Sequence, residues 1–260
     1  MLDSVSEHLM MQGDRTMIVF IHGMMGTPEP FRPMLSAAAG RGFSVSALLL
    51  PGHGGTGRDF ARSDRSQWES AVLEHIGHLR TRYSNIILAG HSMGSLLALL
   101  AYRFYPDVIR GIIAIATPLC LRIGRQALHR GLRLAPDAAD AASGGRRLSL
   151  WFSLRCIPRF LDLLGLMRSA ESALERVESP VLIIHSARDE VVDMRSAVLL
   201  ENRLKRRKTL ILPQSGHNLY TRDDWDLMVS ACMAFSEEPQ SIERSAPASL
   251  ACDGLPRLFA

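Results

Sequence analysis

The stretch Gly90-His91-Ser92-Met93-Gly94 sets a serine between two glycines, each two positions away. A serine hydroxyl is too weakly acidic to attack a carbonyl at neutral pH, so an imidazole has to take its proton. The imidazole in turn needs a carboxylate to fix its tautomer and stabilise its charged form. Two later segments, Ser186-Ala187-Arg188-Asp189-Glu190 and Gln214-Ser215-Gly216-His217-Asn218, carry those groups. Ser92 is therefore the candidate nucleophile, Asp189 the candidate acid and His217 the candidate base, with Glu190 and Asp193 as fallback acids. The plainer alternative makes Ser92 a cap for the helix after it. A capping serine, however, has no need of both partners following in order.

The elements around these residues must bring them together. The apolar run Ile86 to Ala89 predicts a buried strand, and Leu96 to Tyr105 a helix stopped by Pro106, so very few residues remain for the reversal. Gly90 and Gly94 have no Cβ, so the backbone can turn sharply there and the helix can pack close behind it. Further strands are expected at 15–23, 43–52, 109–118, 180–190 and 208–217. Helices are expected at 30–40, 66–82, 196–204 and 223–235. Strands alternating with helices predict an α/β fold, a mostly parallel central sheet with helices on both faces. Function in such sheets collects at the carboxyl ends of strands. Ser92, Asp189 and His217 all follow strands.

With those segments in hand, the chain resembles the α/β-hydrolases, in particular bacterial carboxylesterases and monoacylglycerol-lipase-like serine hydrolases. The resemblance is carried by FIHGMMGTPEPF, LPGHGGTGRDF, LAGHSMGSLLALL, HSARDEVV and LPQSGHNLYTRDD, across about residues 16 to 235, and is weak between 119 and 170. It implies Ser92 as nucleophile, Asp189 as acid and His217 as base, and an oxyanion hole formed by the backbone amides of Met24 and Met93. A helix start such as Met93 also presents free N–H groups to an anion. The implied reaction is cleavage of a carboxylic ester through an acyl-enzyme. Thioesterase or lysophospholipase activity on the same residues, or a non-catalytic binding protein of this fold, are the alternatives. The elbow serine disfavours epoxide hydrolysis and dehalogenation, which in this fold use an aspartate. Neither a metal nor an organic cofactor is expected.

The resemblance also implies a domain plan. Residues 1–118 and 171–235 would form the core and 119–170 a helical cap over the site; 236–260, which loses periodicity and gains proline, serine and alanine, reads as a flexible tail. Met24, Met93, Trp151 and Phe152 are the expected substrate-binding side chains, with Phe160, Leu163, Leu164 and Met167 as further candidates; a cap that only packs on the core is the plainer reading. The partner is then a small ester with an apolar acyl chain.

Composition excludes other classes. With 47% hydrophobic and 22% charged residues among 260, the chain matches an ordinary globular protein rather than a disordered one. The net charge of +4 comes largely from arginines between Pro118 and Ala170 and from the run Arg203 to Lys208. Neither stretch carries the interleaved aromatics of a single-strand binder, so nucleic acid is not an expected partner. A basic apolar cap helix lying on an anionic membrane is a lesser alternative. The four cysteines have neither zinc nor disulfide spacing, and the first residues lack the basic and apolar parts of a leader, which together predict the cytoplasm. Gly52-His53-Gly54-Gly55-Thr56-Gly57 formally fits a dinucleotide fingerprint, but no helix is expected directly after it and no ribose-binding acid closes the next strand. His22 is expected to hold the oxyanion loop in shape, while His53 and His185 are expected to be structural.

Overall fold

The computed structural model describes residues 9–11, 16–122 and 150–244. Seven strands form one sheet: β1 (Leu9–Met11), β2 (Thr16–Ile21), β3 (Ser44–Leu48), β4 (Asn85–His91), β5 (Ile109–Ile115), β6 (Val181–Ser186) and β7 (Arg207–Leu212). Their spatial order is β1-β3-β2-β4-β5-β6-β7, with β1 antiparallel to β3 and every other pair parallel. β4 therefore lies at the centre. Its Ile86, Ile87, Leu88 and Ala89 are 0% exposed, as expected for a strand covered on both faces.

Among the described residues the α-helices are α1 (Arg32–Ala39), α2 (Gly57–Arg62), α3 (Arg65–Leu79), α4 (Met93–Ala101), α5 (Leu150–Ala173), α6 (Arg195–Arg203) and α7 (Arg222–Glu237). Side chains alternate along the strands and so divide the core in two. One half joins Met17, Val19, Ile86 and Leu88 to α3, α4, α5 and α6 through residues such as Trp68, Leu96, Leu166 and Leu200. The other joins Ile18, Phe20, Ile87 and Ile113 to α1 and α7 through Met34, Leu35, Met228 and Phe235.

Several elements depart from expectation for identifiable reasons. Strand β1 has only three residues and is defined by its pairing with β3, so no local periodicity announces it. Helix α2 follows the glycine-rich stretch directly, where a loop was expected. Thr56 caps it, accepting from the Asp59 N–H, while the Asp59 carboxylate accepts from the Thr56 N–H at 2.9 Å. That reciprocal capping box fills the helix N-terminus with the chain's own groups, which leaves no opening for a pyrophosphate.

Helix α5 runs through Pro158 and across the expected cap boundary at 170 without a break. Its Cys156, Leu163, Leu166 and Ala170 are buried in the α3/α4 half of the core, so this stretch builds the main core as well as covering it. Arg159 on α5 donates to the carbonyls of Ala61 and Ser63 and pairs with Asp162, fastening the helix to the end of α2. The stretch from Ser236 begins with order rather than as a tail. Gln240 Nε2 donates to the Arg110 carbonyl at 3.0 Å, and Arg206 donates to the carbonyls of Ile242 and Gln240. Cys252 and the rest of the expected tail lie outside the described residues. Among the described residues, no helix is long and apolar enough to cross a membrane.

Candidate active site

The turn between β4 and α4 is built from close approaches. A Cβ on Gly94 would stand 2.1 Å from the Ile21 carbonyl oxygen, and one on Gly90 would stand 2.4 Å from the Gly94 backbone. Only glycine permits β2, β4 and α4 to meet this tightly. Ser92 at the tip has φ 52 and ψ −123, a conformation non-glycine residues avoid. Met25 (φ 57) and Ala116 (φ 49) are the other described non-glycine residues with positive φ, and they follow β2 and β5 at the same edge of the sheet. Backbone strain held in place by surrounding structure tends to gather where a protein works.

Three sequence-distant residues meet here. Ser92 Oγ lies 3.1 Å from His217 Nε2, and His217 Nδ1 donates to Asp189 Oδ2 at 2.8 Å. The other Asp189 oxygen accepts from the N–H groups of Val191 at 2.8 Å and Val192 at 2.7 Å. Burial works to raise the Asp189 carboxyl, but the His217 bond and those two amides outweigh it and hold the group below its usual range. The fallback acids are used otherwise. Asp193 pairs with Arg195 at 3.0 Å, and Glu190 Oε2 accepts the backbone N–H of His217 at 3.0 Å.

His91, beside the serine in sequence, was not singled out as a site residue. Its Nε2 donates to the His217 carbonyl at 3.0 Å, so Glu190 and His91 hold the His217 backbone by its N–H and its carbonyl. No sequence motif marks these grips, because each partner is more than twenty residues away. The amides expected to form the oxyanion hole, Met24 and Met93, make no hydrogen bond among the described residues. Gly23 allows that loop to close on the serine, since a Cβ there would touch the Ser92 Cβ at 3.0 Å.

These groups face a cavity of about 500 Å³, lined by His22, Met24, Met25, Phe31, Met34, His91, Ser92, Pro118, Arg122, Phe160, Leu163, His217, Tyr220 and Trp225 among others. Met24 lines it. The Met93 side chain, expected at the rim, is instead 0% exposed and packed in the α3/α4 half of the core. The first residue of α4 leaves its amide at the elbow while the helix turns its side chain inward. Trp151 and Phe152 belong to the first turn of α5, and their side chains lie outside the described residues. Phe160 and Leu163 line the wall, whereas Leu164 is 39% exposed on the outer face of α5.

The supporting histidines are neutral. His22 Nδ1 donates to the Gly23 carbonyl at 2.9 Å and its Nε2 accepts the Leu50 N–H at 3.1 Å, which joins the ends of β2 and β3. Burial, helped by neighbouring His53, pushes the His22 pKa down to about 3. Burial also takes His53, packed against His22, Phe60 and Trp68, to about 4. His91 is half-buried because its ring edge forms part of the cavity wall; burial and then His217 hold it at about 4. His185 is buried as expected, but its Nε2 finds no partner among the described residues.

The unfolded chain protonates such histidines near pH 6.5 and the folded chain does not, so stability is full above that value and falls as pH drops toward 4. At pH 5 the loss is on the order of 2 kcal/mol for each of His22 and His53. The urea midpoint, followed by circular dichroism, should fall clearly between pH 7.5 and pH 5. A constant or rising midpoint would contradict neutral histidines in the fold.

Residues 18–231 match the model of the alpha/beta hydrolase family. The chain belongs to that family. Among curated alpha/beta hydrolases, it is 27% identical over 233 residues to a thermostable monoacylglycerol lipase of Bacillus sp. (strain H-257), covering 88% of each chain. A solved metagenome-derived lipolytic enzyme is 27% identical with a TM-score of 0.73, over 89% of this chain and 97% of that one. The monoacylglycerol lipase of Paleococcus ferrophilus, at 19% identity and TM-score 0.63 over 89% and 98% of the two chains, shares the fold.

Proposed function

We propose that this alpha/beta hydrolase cleaves carboxylic esters of the monoacylglycerol or simple alkyl type through an acyl-enzyme on Ser92. The hydrogen-bonded chain Ser92–His217–Asp189 at the wall of an apolar cavity carries this reading. The lipolytic relatives support it from outside the chain.

His217 Nε2 takes the Ser92 hydroxyl proton as Oγ bonds to the ester carbonyl carbon. Asp189 holds the Nδ1 proton toward itself and stabilises the imidazolium that forms. The negative charge moves to the former carbonyl oxygen, where the unengaged Met24 and Met93 amides are the candidate donors. When the tetrahedral species collapses, the C–O bond to the alcohol breaks and His217 gives the alcohol its proton. Water then attacks the acyl-serine, losing its proton to His217, and the carboxylic acid departs as that proton returns to Ser92.

The test is hydrolysis of p-nitrophenyl esters from C2 to C16, with labelling by a fluorophosphonate. The cavity lies within the roughly 300–1,000 Å³ of ordinary ligand sites, so turnover should extend into medium acyl chains rather than ending at C4. Covalent labelling should be lost in Ser92→Ala. No labelling of the folded wild-type protein, with no hydrolysis at any length, would overturn the proposal.

A further inference from the structure

Arg122 is the one formally charged side chain among the described residues that line the cavity. It is exposed at the wall, yet its backbone is fixed. Its N–H donates to the Val191 carbonyl at 2.9 Å, next to an antiparallel bridge between Leu121 and Val192. Those contacts tie it to the loop that carries Asp189, so its position relative to the Ser92–His217 pair is set by the fold.

Among the described residues the guanidinium has neither an ion-pair nor a hydrogen-bond partner. Several other arginines are spent on structure. Arg159 is taken by Asp162 and two carbonyls, Arg65 by Glu69 and Ser169, and Arg203 faces Glu171 and Glu175. Asp193, which senses the Arg122 charge, is already paired with Arg195. The histidines on the same wall, His22 and His91, are neutral and offer no competing positive charge. Asn218 and Thr27 add uncharged polar groups to the wall that likewise make no side-chain bond among the described residues.

A cation at the wall of a mostly apolar cavity serves little purpose for a wholly apolar ligand. Because it is exposed, solvent screens its charge in part, and the attraction to an anion there is moderate. A guanidinium also matches phosphate and carboxylate oxygens in a bidentate fork.

We propose that Arg122 binds an anionic group, phosphate or carboxylate, carried by an ester whose chain occupies the apolar cavity. This rests on the ester-hydrolase reading above and narrows its substrate class. The anion sits on either the alcohol or the acid side of the scissile bond, and the bond broken is the carboxylic ester in both cases.

The experiment compares wild type with Arg122→Gln on three esters of similar length. 1-Octanoylglycerol is neutral, 1-octanoylglycerol 3-phosphate carries the anion on the alcohol, and monooctyl adipate carries it on the acid. Arg122→Gln should lower kcat/KM about tenfold for one of the anionic esters and change the neutral one by less than about twofold, the size expected of one charge-assisted pair at a partly solvated site. The ester affected identifies the side of the anion. Equal loss on all three esters, or no loss on either anionic one, would overturn the proposal.

Binding of octyl phosphate against neutral 1-O-octylglycerol, measured by calorimetry, separates this result from failure of the hydrolase reading. Should no ester be cleaved, a loss of about tenfold in octyl phosphate affinity in Arg122→Gln would still support the anion site, and unchanged affinity would refute it.

Discussion

Ser92→Ala is expected to reduce kcat/KM on p-nitrophenyl esters by at least about 10⁴-fold, since the residues of such a relay act as a unit and losing the nucleophile leaves only binding and charge stabilisation. The fold should survive the change. The Ser92 side chain has a single bond to lose, to His217 Nε2, and its strained φ of 52° belongs to the backbone. Ser92→Gly is the sharper variant. Glycine relaxes the positive φ, so it should be as inactive as the alanine variant and about 1 kcal/mol more stable than it, a rise of roughly 2–4 °C in Tm for a chain of this size. An inactive Ser92→Gly with unchanged or lowered Tm would mean that the elbow conformation costs the fold nothing. Retained activity in either variant would remove Ser92 from the chemistry.

Gly94→Ala should damage the same site from the structural side. Its Cβ would stand 2.1 Å from the Ile21 carbonyl oxygen and 2.7 Å from that of His22. Both are backbone atoms at the end of β2, immediately before the Gly23-Met24 loop, so no side chain can swing aside. Either α4 moves away from the sheet or the loop moves away from Ser92. The expected loss is about 3 kcal/mol, in the upper range for overpacking, or roughly 6–12 °C in Tm. Activity should fall further than the folded fraction, because the displaced elements carry the serine and the candidate Met24 donor. Gly42→Ala is the control: no atom lies within 4 Å of its Cβ, and only the φ of 89° opposes it, at a cost of roughly 1 kcal/mol. Similar losses for the two variants would show that the close approach at Gly94 is not what demands glycine.

Local signals made most of the frame legible. The run from Ile86 to Ala89 is apolar throughout because β4 is covered on both faces, and the glycines at 90 and 94 report a steric demand that any reader of the chain can recognise. Asp189 and His217 stand out as candidates because proton-relay chemistry limits the residue types, and because each follows a strand. What stayed hidden depends on partners distant in sequence. β1 exists through its ladder with β3, and the helical start of α2 through a capping box formed only once the glycine turn is made. The inward direction of the Met93 side chain follows from how α4 sits on the sheet, and residue type does not disclose it. The stretch that forms most of α5 was expected to be a cap because the resemblance places an insert there, and local spacing does not disclose which of its side chains enter the core. Arg159 bonds to carbonyls at the end of α2, a partnership between residues almost a hundred positions apart.

The strand order has a kinetic corollary. Ser92 ends β4, whereas Asp189 and His217 follow β6 and β7, with β5 lying between. No pairing of neighbouring strands can assemble the proposed relay, because Ser92 meets His217 only once three further strands have registered side by side. Such long-range parallel pairing is slow to form. Recovery of turnover during refolding therefore reports the last docking events of the sheet, and a chain that has regained most of its helix content is still inert. The edge strand β7, far from the serine in the sheet, becomes the step on which function depends in time.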